Sequence, residues 1–470
     1  MHHHATPARH FPHAVTRVVV LALTLLLAAC SSVKPWINQP LPADTTLPEM
    51  RVGAGLDNPE AADLSMLLAV TISGGGARAA AFGYGVLDEL RRTQVQWRGH
   101  EISLLDEIDV ISGVSGGSIV SAYYAAFGKD TFPAFENEFL RQDFQDSLIS
   151  NMFRPGSLHD LSSPWFGRTH LLARRLDELY KGLTYGDLAN RPGQPRLLIS
   201  ATDLSLGSSF EFSWDQFELI CSDLASVPLS FAVASSSAVP IALSPTTLRN
   251  YSADCQRPSV DVRAATSATD YRVRLLRSSQ RSYLDAKERP YIHLVDGGLA
   301  DNLGLRALLD RSLAGGGIRS SVRSLPAGVI RKLVIVAVNA ERDPAERIDA
   351  QDTVPSTFQV FDALMFGAGA RATQETLELL TDTAQGWRRE LARRAGDGND
   401  AFAPDAQIHV ITVNLRDAPE LLQRASLLQV PTAFSIPRAD VGRLIEAGRH
   451  ILRESPEFKA LVQSFPSRFP

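Results

Sequence analysis

Short runs of near-continuous apolar residues recur along the chain: MLLAVTI (66–72), IDVISG (108–113), RLLISAT (196–202), YIHLV (291–295), KLVIVAV (332–338) and IHVITV (408–413). Each has the length of a strand buried on both faces. After the first, SGGGARA breaks the run, and Phe82, Val86, Leu87 and Leu90 then fall at helical spacing. After the second, VSGGSIVSAYYAAF continues as a helix. Strand, glycine turn, helix, repeated, predicts an α/β fold with a mostly parallel central sheet covered on both faces.

Two regions leave that rhythm. Residues 132–188 are helical and rich in aromatic side chains. They fit either a cap over a site, spanning about 130–190, or one covering layer of the sheet. A long helical stretch follows at roughly 356–394, and two further helices are expected at about 437–453 and 456–464. The pattern predicts a main domain over 64–345, with 346–470 an extension packed on the same domain.

The amino-terminal pattern is different. A segment with Arg9 and Arg17 and no acid precedes VVVLALTLLLAA, a largely apolar run of 12 residues where a membrane-spanning helix needs about 20. Leu27, Ala28 and Ala29 then lead to Cys30. This resembles a bacterial lipoprotein signal, with residues 1–29 removed and Cys30 lipid-modified as the first residue. The uncharged Ser31 and Ser32 are, by that resemblance, compatible with sorting to the outer membrane of the cell envelope. Residues 30–63 are polar and punctuated by proline, and read as an irregular, lipid-anchored tether.

Composition adds limits. The formal charge is −5 and basic residues are dispersed, apart from WRRELARR (387–394), which reads as a solvated helix face. A nucleic-acid partner is therefore not expected. Export would place Cys221 and Cys255 in an oxidising compartment. They either pair, closing a loop of 34 residues, or remain separate thiols.

Candidate chemistry lies in three glycine turns. Gly113-Val114-Ser115-Gly116-Gly117 fits G-x-S-x-G between a strand and a helix. A turn that tight needs Gly113 and Gly117 without side chains and projects the Ser115 hydroxyl; the other reading is a serine that only caps a helix. Ser73-Gly74-Gly75-Gly76-Ala77-Arg78 offers bare N–H groups and a cation to an anion. Gly74, Gly76 and Ala79 also satisfy a dinucleotide fingerprint, but no clear strand end holds an acid about 20 residues on. The third turn is Asp296-Gly297-Gly298, after a strand. Asp296 is either a turn-stabilising acid or a functional one. Neither His100, His159, His170, His293, His409 nor His450 stands in a glycine turn. His293 lies three residues before Asp296 on the same strand, so alternation points it to the opposite face.

A glycine turn with a basic residue, then G-x-S-x-G, then D-G-G is similar to the pattern of the patatin-like phospholipases. LLISATDLSLGSSFEF (197–212) and AVASSSAVPIALSP (232–245) also look like segments of that family. The resemblance covers roughly 65–345, and 346–470 more loosely resembles the C-terminal part of bacterial lipoprotein members. It implies a three-layer α/β/α sandwich. It implies a lipid acyl hydrolase, of phospholipase A or lysophospholipase type, with a Ser115–Asp296 dyad and neither cofactor nor metal. The oxyanion would be held by N–H groups around Gly74, Gly75 and Gly76, and by Arg78. The substrate would be a phospholipid or another acyl ester. Ala79 departs from the family, which usually has glycine there. A thioesterase or carboxylesterase of the same fold, or a non-catalytic envelope scaffold that binds lipid, are the alternatives.

Overall fold

The computed structural model describes residues 32–42, 64–191, 193–255, 270–322, 325–342, 348–350, 352–363, 369–393 and 400–466. The signal segment and Cys30 lie outside the described residues. The strands are β1 (Met66–Ile72), β2 (Gln94–Trp97), β3 (His100–Ser103), β4 (Ile108–Val114), β5 (Arg196–Asp203), β6 (Ser208–Phe212), β7 (Thr246–Arg249), β8 (Tyr291–Val295), β9 (Ile330–Asn339) and β10 (Phe402–Asn414). Every apolar run named from the sequence is a strand. β2 and β3 form a small separate hairpin.

The main sheet has the order β10-β9-β1-β4-β5-β8-β7, with β6 also paired to β5. From β10 to β5 all pairs are parallel. β6, β7 and β8 are antiparallel additions. Alternation along the strands divides the core in two. On β1 and β9, Met66, Leu68, Val70, Val334, Val336 and Val338 face one cluster, while Leu67, Leu333, Ile335 and Ala337 face the other. Helices cover both faces, giving a three-layer α/β/α sandwich.

On the first face lie α1 (Gly76–Arg92), which follows β1, and α2 (Gly116–Phe127), which follows β4. Residues 131–144 cover these two helices, with Phe135 packed on Tyr84 and Tyr123. Beyond them, α3 (Phe144–Met152) and α4 (Pro155–Leu161) carry the chain toward α5 (Arg168–Tyr180). α6 (Leu229–Ser236) packs against α5. On the second face are α7 (Arg306–Gly315) and α8 (Gly369–Arg393). Trp387 of α8 is buried there, its Nε1 donating to Ser312 Oγ at 3.1 Å, so the WRRELARR face is only partly solvated.

The C-terminal extension supplies the edge strand β10 and then α9 (Arg438–Glu454) and α10 (Pro456–Gln463). α9 crosses α1 closely, because Gly85 lies against the Ile445 backbone and Gly448 against Phe82 O. Arg449 and Arg453 lock the crossing through Asp88 and Glu89, at 2.7 and 2.6 Å.

The described part of the tether, 32–42, is bound along the body of the protein. Val33 O accepts from Ser163 Oγ at 2.6 Å, and Trp36 packs on Phe231. Asn38 Oδ1 takes the Arg249 N–H of edge strand β7 at 2.7 Å. Leu41 N donates to Cys221 O at 2.9 Å, beside a disulfide that joins Cys221 to Cys255. A buried asparagine and a half-buried tryptophan give this part of the expected irregular tether specific partners on the body of the protein.

Candidate active site

The three glycine turns meet because their strands end at one height. Ile72 of β1 is level with Gly113 of β4, and Val114 is level with Ser200 of β5. β8 descends antiparallel to β5, with Val295 opposite Thr202. The next residues, Ser115 and Asp296, therefore arrive at the same level on either side of β5.

Ser115 sits at φ 48° and ψ −122°, a conformation that a residue with a side chain adopts only under strain. Its surroundings hold it there. Ser115 N donates to Ser236 Oγ at 2.8 Å, and Ser236 Oγ in turn donates to Ser200 O at 2.6 Å. The flanking glycines are sterically required. A Cβ on Gly113 would meet Ser118 Cα at 2.5 Å, one on Gly116 would meet the Gly76 backbone, and one on Gly117 the carbonyls of Ile72 and Ser73. Backbone thus packs on backbone, and the hydroxyl projects from the turn.

Ser115 Oγ lies 2.8 Å from Asp296 Oδ2. The other carboxylate oxygen accepts from Gly298 N at 2.8 Å, which fixes the rotamer. Thr202 Oγ1 donates to Asp296 O at 2.8 Å and ties the turn to β5. Gly297 passes so close to Ser200 O that a side chain would collide. Asp296 is buried, and desolvation raises its pKa from 3.8 to about 6, against the lowering effect of the Gly298 and Ser115 hydrogen bonds. A carboxylate held in this way is a stronger base than an exposed one.

Gly74 and Gly75 line the cleft beside this pair, with Gly74 against the Ser115 Cβ, and Gly76 follows at the start of α1. The three amides differ in availability. Gly74 N donates to Asn302 O at 3.1 Å and is already engaged. Gly75, at φ 141°, and Gly76, at φ 60°, have N–H groups that meet no acceptor among the described residues. Arg78 is wholly buried. It donates from Nε to Ala340 O at 2.8 Å, and from Nη1 to Val430 O at 2.7 Å and Thr432 Oγ1 at 3.1 Å. Its Nη2 lies against Gly75 at the cleft wall. Burial, with Arg342 adding to it, lowers the Arg78 pKa to about 9, so the group stays cationic at neutral pH. Ala79, the departure from the family pattern, is buried in the core and its N–H donates to Gly75 O at 3.4 Å.

The cleft around Ser115 and Asp296 also takes in Val239, Asn302, Glu341, Arg342 and Thr432. Sequence reasoning missed Ser236, Arg342 and the loop at 430–433. Only the run Ser235-Ser236-Ser237 offered a signal, since three buried hydroxyls in a helix end need partners. The 430–433 loop holds the first turn of α1, with Ala77 N donating to Ala433 O at 2.7 Å. Among the described residues, no histidine lines the cleft. His293 bonds Thr247 on the far side of β8, His170 accepts from Gly167 N, and His409 lies on β10. Among the described residues, no group of three His, Cys, Asp or Glu could hold a metal ion.

The family model of the patatin-like phospholipases matches residues 70–309, which contain all three turns. Among solved structures the chain is similar to human GIVD cytosolic phospholipase A2, at 13 % identity over 88 % of this chain and a TM-score of 0.44. It spans 64 % of the length of that protein. VipD from Legionella pneumophila also matches, at 13 % identity over 85 % of this chain and 67 % of its own, with a TM-score of 0.32. No curated protein matches the sequence. With more than half the chain under one family model, and that family's sandwich built by its strands, the chain belongs to the patatin-like phospholipase family.

Proposed function

We propose that the protein is an envelope-tethered lipid acyl hydrolase, cleaving acyl esters of phospholipid or lysophospholipid through a Ser115–Asp296 dyad. The observation that carries this reading is the 2.8 Å contact between Ser115 Oγ and a buried, rotamer-fixed Asp296. Asp296 takes the hydroxyl proton as Ser115 Oγ bonds to the acyl carbonyl carbon. The resulting oxyanion is met by the Gly75 and Gly76 N–H groups and by Arg78 Nη2. Collapse breaks the bond to the alcohol oxygen, which takes the proton back from Asp296, and leaves an acyl-serine. Water then adds to that ester, giving its proton to Asp296, and collapse releases the fatty acid as the proton returns to Ser115 Oγ.

No helix among the described residues is long and apolar enough to cross a membrane. In this reading membrane attachment comes from a lipid on Cys30, and Ser31 and Ser32 favour the outer membrane. The test is fatty-acid release from phospholipid vesicles by the full chain, with a thioester and a short-chain ester in parallel. Loss of release in Ser115→Ala supports the reading. Undiminished release in that variant overturns it, and a preference for the thioester moves the leaving group to sulfur.

A further inference from the structure

The amino-terminal segment is bound at one particular place. Val33 is pinned to Ser163, and Lys34 Nζ stands 5.3 Å from the Trp165 ring centroid. Cys30 is three residues before Val33. At about 3.3–3.6 Å per residue, a lipid there lies within roughly 10 Å of that contact. A lipid carried on Cys30 would therefore be tethered close to the 163–165 turn.

Among the described residues, the 153–168 segment and the loop at Ile241 expose large apolar side chains near this contact. Phe153 is 65 % exposed, Leu158 51 %, Trp165 53 % and Ile241 63 %. Interspersed with them are exposed cations: Lys34, Arg154 and Arg168. Residues 153–168 contain one acid, Asp160, which is engaged by Arg174 at 2.6 Å. In a chain of net charge −5 this is a locally basic, aromatic surface, the composition that rests at an anionic lipid interface.

The patch also borders the cleft. Arg168 Nη2 donates to Ile241 O at 2.6 Å, and Val239, two residues earlier, lines the cleft. One surface thus carries the attachment point, the exposed apolar residues and the rim of the cleft.

We infer that the face formed by residues 33–34, 153–168 and Ile241 lies on an anionic phospholipid bilayer, with Phe153, Leu158 and Trp165 in its interfacial layer and the cleft opening toward lipid. The inference rests on lipidation of Cys30 within the proposed function, and it adds a fixed orientation. The lipid on Cys30 would hold the protein at the membrane, and the apolar and basic patch would add a second contact that fixes which face lies on it.

The test uses the full lipidated chain in vesicles of phosphatidylglycerol and phosphatidylcholine. Cys221 and Cys255 are bonded and Cys30 carries the lipid, so a nitroxide on Leu158→Cys has a single attachment site. Asp382→Cys, on the exposed side of α8, is the reference. The expected result is several-fold lower accessibility of the 158 label to a water-soluble nickel chelate, and higher accessibility to oxygen. Equal nickel accessibility at the two positions overturns the orientation. An unmodified Cys30 by mass spectrometry removes its basis and overturns it as well. Fluorophosphonate labelling of Ser115 in the same samples reads the hydrolase proposal separately.

Discussion

Ser115 Oγ and Asp296 Oδ2 are in hydrogen-bond contact although 181 residues separate them and their strands run in opposite directions. Either residue alone is an ordinary turn residue. In the proposed mechanism they are the nucleophile and the base, with no histidine between them. Asp296→Asn keeps the shape and the Gly298 contact but cannot accept a proton. It should lower kcat for ester hydrolysis by about 10²–10⁴, as measured by fatty-acid release and by the rate of fluorophosphonate labelling. A loss under threefold would remove Asp296 from the role of base.

Burial sets the pH at which that base works. Asp296 acts only when ionised, and its pKa is raised from 3.8 to about 6. Activity should therefore rise with pH through about 6 and level off near neutrality. A kcat/KM profile between pH 4 and 8 reports the ionisation in the free enzyme. A flat profile down to pH 4.5 would mean that Asp296 has the pKa of an exposed acid.

The same burial makes the site costly to the fold. Asp296 binds its proton more tightly folded than unfolded, so its stabilising contribution is complete below about 4 and is lost as pH rises through about 6. At pH 8 the native state carries a desolvated charge that Asp296→Asn lacks. The variant should be more stable than wild type at pH 8, by about 1–3 kcal/mol, and the gap should close toward pH 4. Thermal melts at the two pH values check this. An inactive variant that gains stability would exemplify the usual conflict between function and stability.

Much of this was legible in the chain. Buried strands declare themselves by continuous apolar runs, and so β1, β4, β5, β8, β9 and β10 were readable, β1, β4 and β8 together with their glycine turns. The hairpin QVQW and HEIS, the edge strand TTLR and the antiparallel SSFEF were not, because four or five residues with mixed polarity carry too little periodicity. The antiparallel direction of β8 was equally hidden, since an apolar pentamer has no polarity. The contribution of the 430–433 loop to Arg78 is a contact across more than 350 residues, and no local pattern encodes it.

The disulfide between Cys221 and Cys255 closes a loop of 34 residues, worth roughly 3–4 kcal/mol on chain-entropy grounds. It also braces the segment that holds Leu41 and Asn38. Cys255→Ser should lower the melting temperature and expose the 32–42 segment to proteolysis, while the dyad, built on other strands, keeps its geometry. Limited digestion with and without reductant reads both effects. Equal protection of 32–42 in the two samples would show that the docked segment holds without the bridge.

Arg78 distinguishes electrostatic from structural work. Its guanidinium binds Ala340 O, Val430 O and Thr432 Oγ1 on one side and presents Nη2 beside Gly75 on the other. Lysine keeps the charge, but a single ammonium cannot span both sides. Arg78→Lys should therefore lower kcat by about 10²–10³ and also cost about 1–3 kcal/mol, because buried carbonyls lose their donors. Thr432→Val removes one of the internal contacts and leaves Nη2 in place. If Arg78 steadies the oxyanion, Thr432→Val should melt earlier with kcat nearly retained, whereas Arg78→Lys loses kcat even well below its melting temperature. Parallel kcat losses in the two variants, each proportional to its loss of stability, would reduce Arg78 to a structural tie between α1 and the C-terminal loop.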